Sequence, residues 1–297
     1  MKFGIHLPQA GKYATGRSVV DVAQAVEDRG FDSVWLYDHL FTPEQITGHY
    51  PGSPDGVYRF PLDAPYLDAL AMLGAIAAST SRVRFGTRVL LPLLRNPALL
   101  AKELAGIDEL AGGRLLLGCG AGWMREEYDA VGVPFEGRGA RLDEHITLMR
   151  QVWSGERKPF NGQYYQHVAG SFLPAPPRGS IPVLFGGSSE AALRRVARSG
   201  DGWCVIAPPV PAGGDPVEVC LPAVRAMLER LRAYCEQAET DYDALLLVAD
   251  ASFDAPDALL QGYADLGIDI CDLVSLSRPS RLVEQIDQFA QRVGTEL

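Results

Sequence analysis

Three short stretches of the chain carry groups in spacings that chemistry can use. Asp38-His39 joins a carboxylate to an imidazole. An imidazole titrates near neutral pH, so His39 can move a proton or hydrogen-bond a cofactor, while Asp38 can orient it or hold a substrate hydroxyl. Gly186-Gly187-Ser188-Ser189 offers free backbone amides and two hydroxyls before a helical pattern, which suits an anion; the plainer reading is that Ser188 or Ser189 caps the helix. Gly118, Gly120 and Gly122 remove side chains at every second position, so that something flat or phosphorylated can lie on the backbone through Gly120, Ala121 and Gly122. Their G-x-G-x-G spacing is not the dinucleotide fingerprint. Trp123, directly after, can wall a planar ring or simply pack.

These stretches matter together only if the intervening elements bring them together. Apolar runs predict strands over 3–7, 33–37, 83–91, 114–117, 181–185, 203–206, 245–249 and 270–275, each followed by a helical pattern. Ser18 with Asp21 suggests the cap of the first helix, Pro65 the first turn of the second, and Asn96-Pro97 the start of the third. Residues 124–131 suit a short helix and 141–153 a longer one. Residues 41–63 read as a long inserted loop and 154–180 as a hairpin excursion around Asn161-Gly162. Eight strand-helix units in 297 residues predict an α/β fold, an eight-stranded parallel (β/α)8 barrel of TIM type forming one domain over 1–297, with a doubly wound open sheet as the competitor. In a barrel the carboxyl ends of the strands converge, and they supply His6, Asp38-His39, Thr87-Arg88-Val89, Gly120 to Trp123 and Gly186 to Ser189. The plainer reading of His6 is that it fills the barrel mouth, Glu126 and Glu127 read as a solvated helix face, and Arg138, Arg141, Asp143 and Glu144 as ion pairs at a helix start.

Composition excludes several classes. A formal charge of −10 argues against nucleic acid or an anionic membrane as a partner. Five cysteines, an odd number without a C-x-x-C pair, support neither a disulfide framework nor a zinc site. A reducing, cytoplasmic setting is expected, with no signal-peptide core and no apolar run long enough for a membrane span. No hydrolase or Walker motif is present.

The segments Gly118-Cys-Gly-Ala-Gly-Trp-Met-Arg-Glu-Glu-Tyr128, Arg138-x-x-Arg-x-Asp-Glu144, Phe160-Asn-Gly-Gln-Tyr-Tyr165, Pro182-Val-Leu-Phe-Gly-Gly-Ser188 and Gly200-Asp-Gly-Trp203 together resemble the bacterial luciferase-like superfamily. The resemblance spans the chain to about the sixth strand. It implies an eightfold barrel, usually dimeric, that binds the deazaflavin coenzyme F420 or flavin mononucleotide (FMN). It also implies that Gly120, Ala121 and Gly122 pass close to the ring, that Gly186 to Ser189 hold the phosphate, and that a cis peptide between Arg88 and Val89 backs the ring. Asp38-His39 resembles the pair that meets ring and substrate in the F420 branch. The sugar-phosphate dehydrogenases of that branch carry a glutamate where this chain has Trp123, a departure that counts against sugar-phosphate oxidation.

The expected activity is therefore hydride transfer between F420 and a small to mid-sized organic substrate. The alternatives are an FMN-dependent monooxygenase, a barrel that carries flavin without turnover, and a phosphosugar isomerase or aldolase. The last would want an inward lysine or paired acids at the strand ends.

Overall fold

The computed structural model describes residues 1–294; residues 295–297, the end of the expected domain, lie outside the described residues. Eight strands pair in parallel and close on themselves: β1 (Lys2–His6), β2 (Ser33–Leu36), β3 (Arg84–Thr87), β4 (Leu115–Cys119), β7 (Val183–Gly186), β8 (Gly202–Cys204), β9 (Leu246–Ser252) and β10 (Ile270–Val274). Because β1 bonds to β2 on one side and β10 on the other, the open doubly wound sheet is excluded. The two remaining strands, β5 (Phe160–Asn161) and β6 (Gln166–His167), form the expected antiparallel excursion.

The strands are apolar on both faces because each face meets a different core. Outward residues such as Ile5, Val34, Phe85 and Leu117 join the shell shared with the helices. Inward residues Trp35, Leu116, Leu184, Cys204, Val248 and Ile270 fill the barrel. The Trp35 indole takes more than one strand's share of that interior, and glycines on both neighbouring strands make room. A Cβ on Gly4 would lie 2.6 Å from Trp35 Nε1, and one on Gly86 would lie 3.0 Å from Trp35 Cζ3. Ser33 Oγ accepts the indole N–H at 3.0 Å, so the buried donor is satisfied.

Several element starts differ from expectation, each for a local reason. Helix α1 (Gly16–Asp28) is capped by Thr15, whose hydroxyl accepts the Ser18 amide at 3.0 Å while Ser18 Oγ accepts the Thr15 amide at 3.1 Å. Asp21 instead pairs with Arg17. Helix α2 (Ala69–Ser79) starts after its cap Asp68 and not at Pro65, because the backbone at 65–67 is taken by extended pairing to Gln9 and Gly11. The third strand stops at Thr87, four residues early, where the chain bulges through a cis Arg88-Val89 peptide, as the resemblance implies.

Candidate active site

The carboxyl ends of the strands surround a cavity of about 900 Å³, near the upper end of ordinary small-molecule sites. His39 stands on one wall, just past β2. Its Nδ1 donates to Glu127 Oε1 at 3.0 Å, and the same oxygen accepts the Leu40 amide at 2.7 Å. With Nδ1–H committed, Nε2 is the nitrogen left to act as an acceptor. Glu127, on helix α4 (Arg125–Ala130), is fully buried, which corrects the reading of it as a solvated face. Its neighbour Glu126 is also engaged, accepting the amide and hydroxyl of Thr47, both at 2.8 Å, and so tying down the inserted loop. The missed signal was spacing: Met124, Glu127 and Tyr128 fall at i, i+3 and i+4, one helix face, and all three are buried.

Asp38 does not orient His39. Its two oxygens take Arg95 through both guanidinium nitrogens, at 2.7 and 3.0 Å, and the Leu91 amide at 2.9 Å. It therefore lashes the end of β2 to the loop after β3, while still lining the cavity.

The bulge explains part of the glycine pattern. A Cβ on Gly118 would lie 1.9 Å from the Thr87 carbonyl oxygen, one on Gly120 3.1 Å from Val89 Cγ2, and one on Gly186 2.6 Å from Val89 Cγ1. These glycines admit the β3 bulge, which carries Val89 into the mouth between β4 and β7. Thr87 is buried and donates its hydroxyl to the Gly118 carbonyl at 2.7 Å, so it fastens β3 to β4 and is not on the cavity wall. Gly122, at φ +69, turns the chain so that Ala121 and Trp123 face the cavity.

Beyond Val89 lies the anion-suited end. Gly187 adopts φ +117, a conformation open to glycine, and Ser189 caps α6 (Glu190–Ser199) by accepting the Ala192 amide at 3.2 Å. Ser189 lines the cavity with Gly186 and Gly187; Ser188 is exposed and off the wall. Two arginines also reach this end: Arg195, which the sequence did not single out, and Arg138, which it placed among ion pairs at a helix start. Arg195 Nε meets Asp143 at 2.5 Å. Arg138 stacks 3.9 Å over Phe135, donates Nε to the Gly122 carbonyl at 3.1 Å, and has no carboxylate partner among the described residues. The expected ion pairs within the helix start are absent: Asp143 reaches across to α6, and Glu144 accepts the amides of Gln163, Tyr164 and Tyr165.

Arg88 crosses the floor. Its side chain runs inward from β3, donating to Asp250 at 2.5 Å, Val205 O at 2.9 Å and Asp272 at 3.3 Å. Burial alone would weaken its hold on the proton, but the two carboxylates outweigh that and raise its pKa. His6 donates Nδ1 to Asp272 at 2.9 Å and stacks under Tyr37, ring centroids 3.6 Å apart. It belongs to this floor and is not on the wall, where Tyr37 stands in its place. Burial, then Asp272, pushes the Tyr37 phenol up, so it stays a neutral donor. Opposite the floor, Tyr50 and Tyr58 of the inserted loop pack on Trp123 at 5.1 and 5.4 Å, and Trp123 meets His39 edge-on at 6.1 Å.

The sequence profile of luciferase-like monooxygenases matches residues 1–290. The chain belongs to that family. An uncharacterised Mycobacterium tuberculosis protein is 37% identical over 213 residues, 72% of this chain and 70% of that one. An F420-dependent glucose-6-phosphate dehydrogenase of Kineococcus radiotolerans is 36% identical over 225 residues, 74% of this chain and 60% of that one. Among solved structures, the monooxygenase RslO1 of Streptomyces bottropensis superposes with a TM-score of 0.74 at 21% identity, covering 98% of both chains. At that identity the likeness shows the luciferase-like fold alone. Members of the family are oxidoreductases and monooxygenases, with F420-dependent and flavin-dependent proteins among this chain's relatives and structural neighbours. Among the described residues, no helix is long and apolar enough to cross a membrane.

Proposed function

We propose that this protein is an oxidoreductase using F420 as its hydride carrier, acting on a small to mid-sized organic molecule. The observation that carries the reading is the Val89 bulge standing between two unlike ends of one cavity. One end holds His39 with a free nitrogen, and the other holds Gly186, Gly187, Ser189 and the unpaired Arg138. A planar group with an anionic tail fits that division. The ring would rest on Val89 and the Gly120–Gly122 backbone, and the tail would meet the Gly187 and Ser189 amides and Arg138. Relatives named as F420-dependent, at 35 and 36% identity, favour the deazaflavin over FMN.

When bound, a deazaflavin gives or takes hydride at one ring carbon. The chain's part is to orient the substrate and handle its proton. His39 Nε2 would accept the proton of a substrate hydroxyl, with the Glu127 carboxylate at 3.0 Å stabilising the imidazolium that forms. Tyr50, Tyr58 and Trp123 would keep water off that wall.

Titrating the purified protein separately with oxidised F420 and FMN, and following ring fluorescence, tests this. Saturable F420 binding is expected; FMN binding without F420 binding would replace the proposal with the monooxygenase reading.

A further inference from the structure

The cavity wall facing the bulge carries a carboxylate whose ion pair with Arg88 uses only one of its two oxygens. Around the barrel, β9 lies four strands from β3 in either direction, so Asp250 stands diametrically across from Val89. Its register partner is Asp272, and both point inward above the apolar plug formed by Val248 and its neighbours. Asp272 is sealed, whereas the Asp250 side chain is 41% exposed and opens into the cavity. One Asp250 oxygen is fixed by Arg88, which is itself anchored by Asp272 and the Val205 carbonyl. The other oxygen has no partner among the described residues. On the same cavity, the Tyr37 hydroxyl also makes no hydrogen bond among the described residues. Nothing on this wall offsets the charge: of the three arginines lining the cavity, Arg88 is shared between two carboxylates, Arg195 is paired with Asp143, and Arg138 stands at the anion-suited end.

We propose that Asp250 is the specificity-determining residue of the substrate half of the cavity. It selects a substrate that presents an O–H or N–H donor without negative charge, an uncharged alcohol or a protonated amine, and turns away phosphorylated and carboxylate-bearing molecules. Arg88 is its positioning residue: the guanidinium holds one carboxylate oxygen and leaves the other as a free acceptor. The Tyr37 phenol, kept neutral by burial, supplies the complementary donor to the same substrate group. An anion placed here would face Asp250 with no free cation in reach, a repulsion that salt can screen because Asp250 opens into the cavity. This substrate class rests on the cavity being the reactive site proposed above, and its test reads binding order, which the cofactor's identity does not alter.

Benzylamine, benzyl alcohol, benzoate and glucose 6-phosphate, titrated at pH 7 by calorimetry into the full chain with and without bound cofactor, provide the comparison. The expected order is benzylamine tightest, benzyl alcohol next, and the two anions weaker than benzylamine by about 10-fold or more, the scale of one charge-assisted hydrogen bond. Asp250→Asn should compress the range to about 3-fold while leaving cofactor affinity within about 2-fold. Raising the ionic strength from about 0.02 to 0.5 M should narrow the wild-type gap, a readout that does not depend on the variant folding. An anion binding as tightly as benzylamine, an order unchanged in Asp250→Asn, or a gap indifferent to salt would overturn the assignment. If F420 fails to bind yet the order and its response persist, the cofactor reading falls and the Asp250 assignment stands. If F420 binds and the order is flat, the reverse holds.

Discussion

Replacing Glu127 with glutamine isolates the contribution of one negative charge. The glutamine carbonyl can still accept the His39 Nδ1–H and the Leu40 amide, now at 3.0 and 2.7 Å from the carboxylate, so the imidazole keeps its orientation and tautomer. What disappears is the attraction between carboxylate and imidazolium, present only once His39 has taken the proton. At 3.0 Å and an effective dielectric of about 20 that attraction is roughly 5 kcal/mol, an upper bound. His39 is 14% exposed, and a neutral hydrogen bond survives, so the net loss should be about 1.5–3 kcal/mol. Steady-state turnover with any accepted alcohol should therefore fall about 10- to 100-fold in kcat, with KM and F420 affinity little changed. Glu127→Ala, which also frees the ring, should fall further. Wild-type kcat in Glu127→Gln would refute the proton role of His39, and equal losses in the two variants would assign Glu127 to its charge alone, with no part in orienting the ring.

Arg138→Met keeps the stem over Phe135 but removes the unpaired charge; F420 affinity should drop about 10- to 100-fold and lose part of its salt dependence, and an unchanged fluorescence titration would remove Arg138 from the anion site. Gly186→Ala sets a methyl 2.6 Å from Val89 Cγ1, so its melting temperature should fall, and adding Val89→Ala should recover most of the loss; a double variant no better than the single would mean the clash lies elsewhere. Burial drives the His145 imidazole from its ordinary 6.5 down to about 3, so the folded state keeps it neutral while the unfolded chain takes a proton near 6.5. The stability this gives is complete above pH 6.5 and is lost as pH falls, by up to about 2.7 kcal/mol at pH 4.5. On acidification the urea midpoint of the protein should fall further than that of His145→Phe, and parallel curves would exclude His145 as the acid-sensitive group.

The eight barrel strands and their order of use could be read from the chain because each is a run with both faces buried, the one pattern that period and length resolve together. Strand ends could not, since they depend on neighbours. Whether residues 88–91 continue β3 or bulge is decided by Gly118, Gly120 and Gly186 on other strands, whose missing side chains leave the space. Site polarity failed in a similar way. Asp38 and His39 are adjacent in the chain, but what orients His39 is Glu127, 88 positions away, and what occupies Asp38 is Arg95. Arg88 and Asp250, separated by 162 positions, gave no local sign of meeting. Pairings of this kind are set by closure of the barrel and lie beyond any window of sequence.

Trp35 and its attendant glycines make three neighbouring strands accountable to a single volume. Substituting the indole alone would hollow out the plug beneath the floor, and substituting Gly4 or Gly86 alone would overfill it. Positions 4 and 35 should consequently drift together through evolution, a small residue at 35 arriving with a bulkier one at 4, while 86 stays glycine because a Cβ there would also lie 2.3 Å from the Leu116 carbonyl oxygen. Anyone redesigning the floor for another substrate would have to move 4 and 35 at once and leave Gly86 in place.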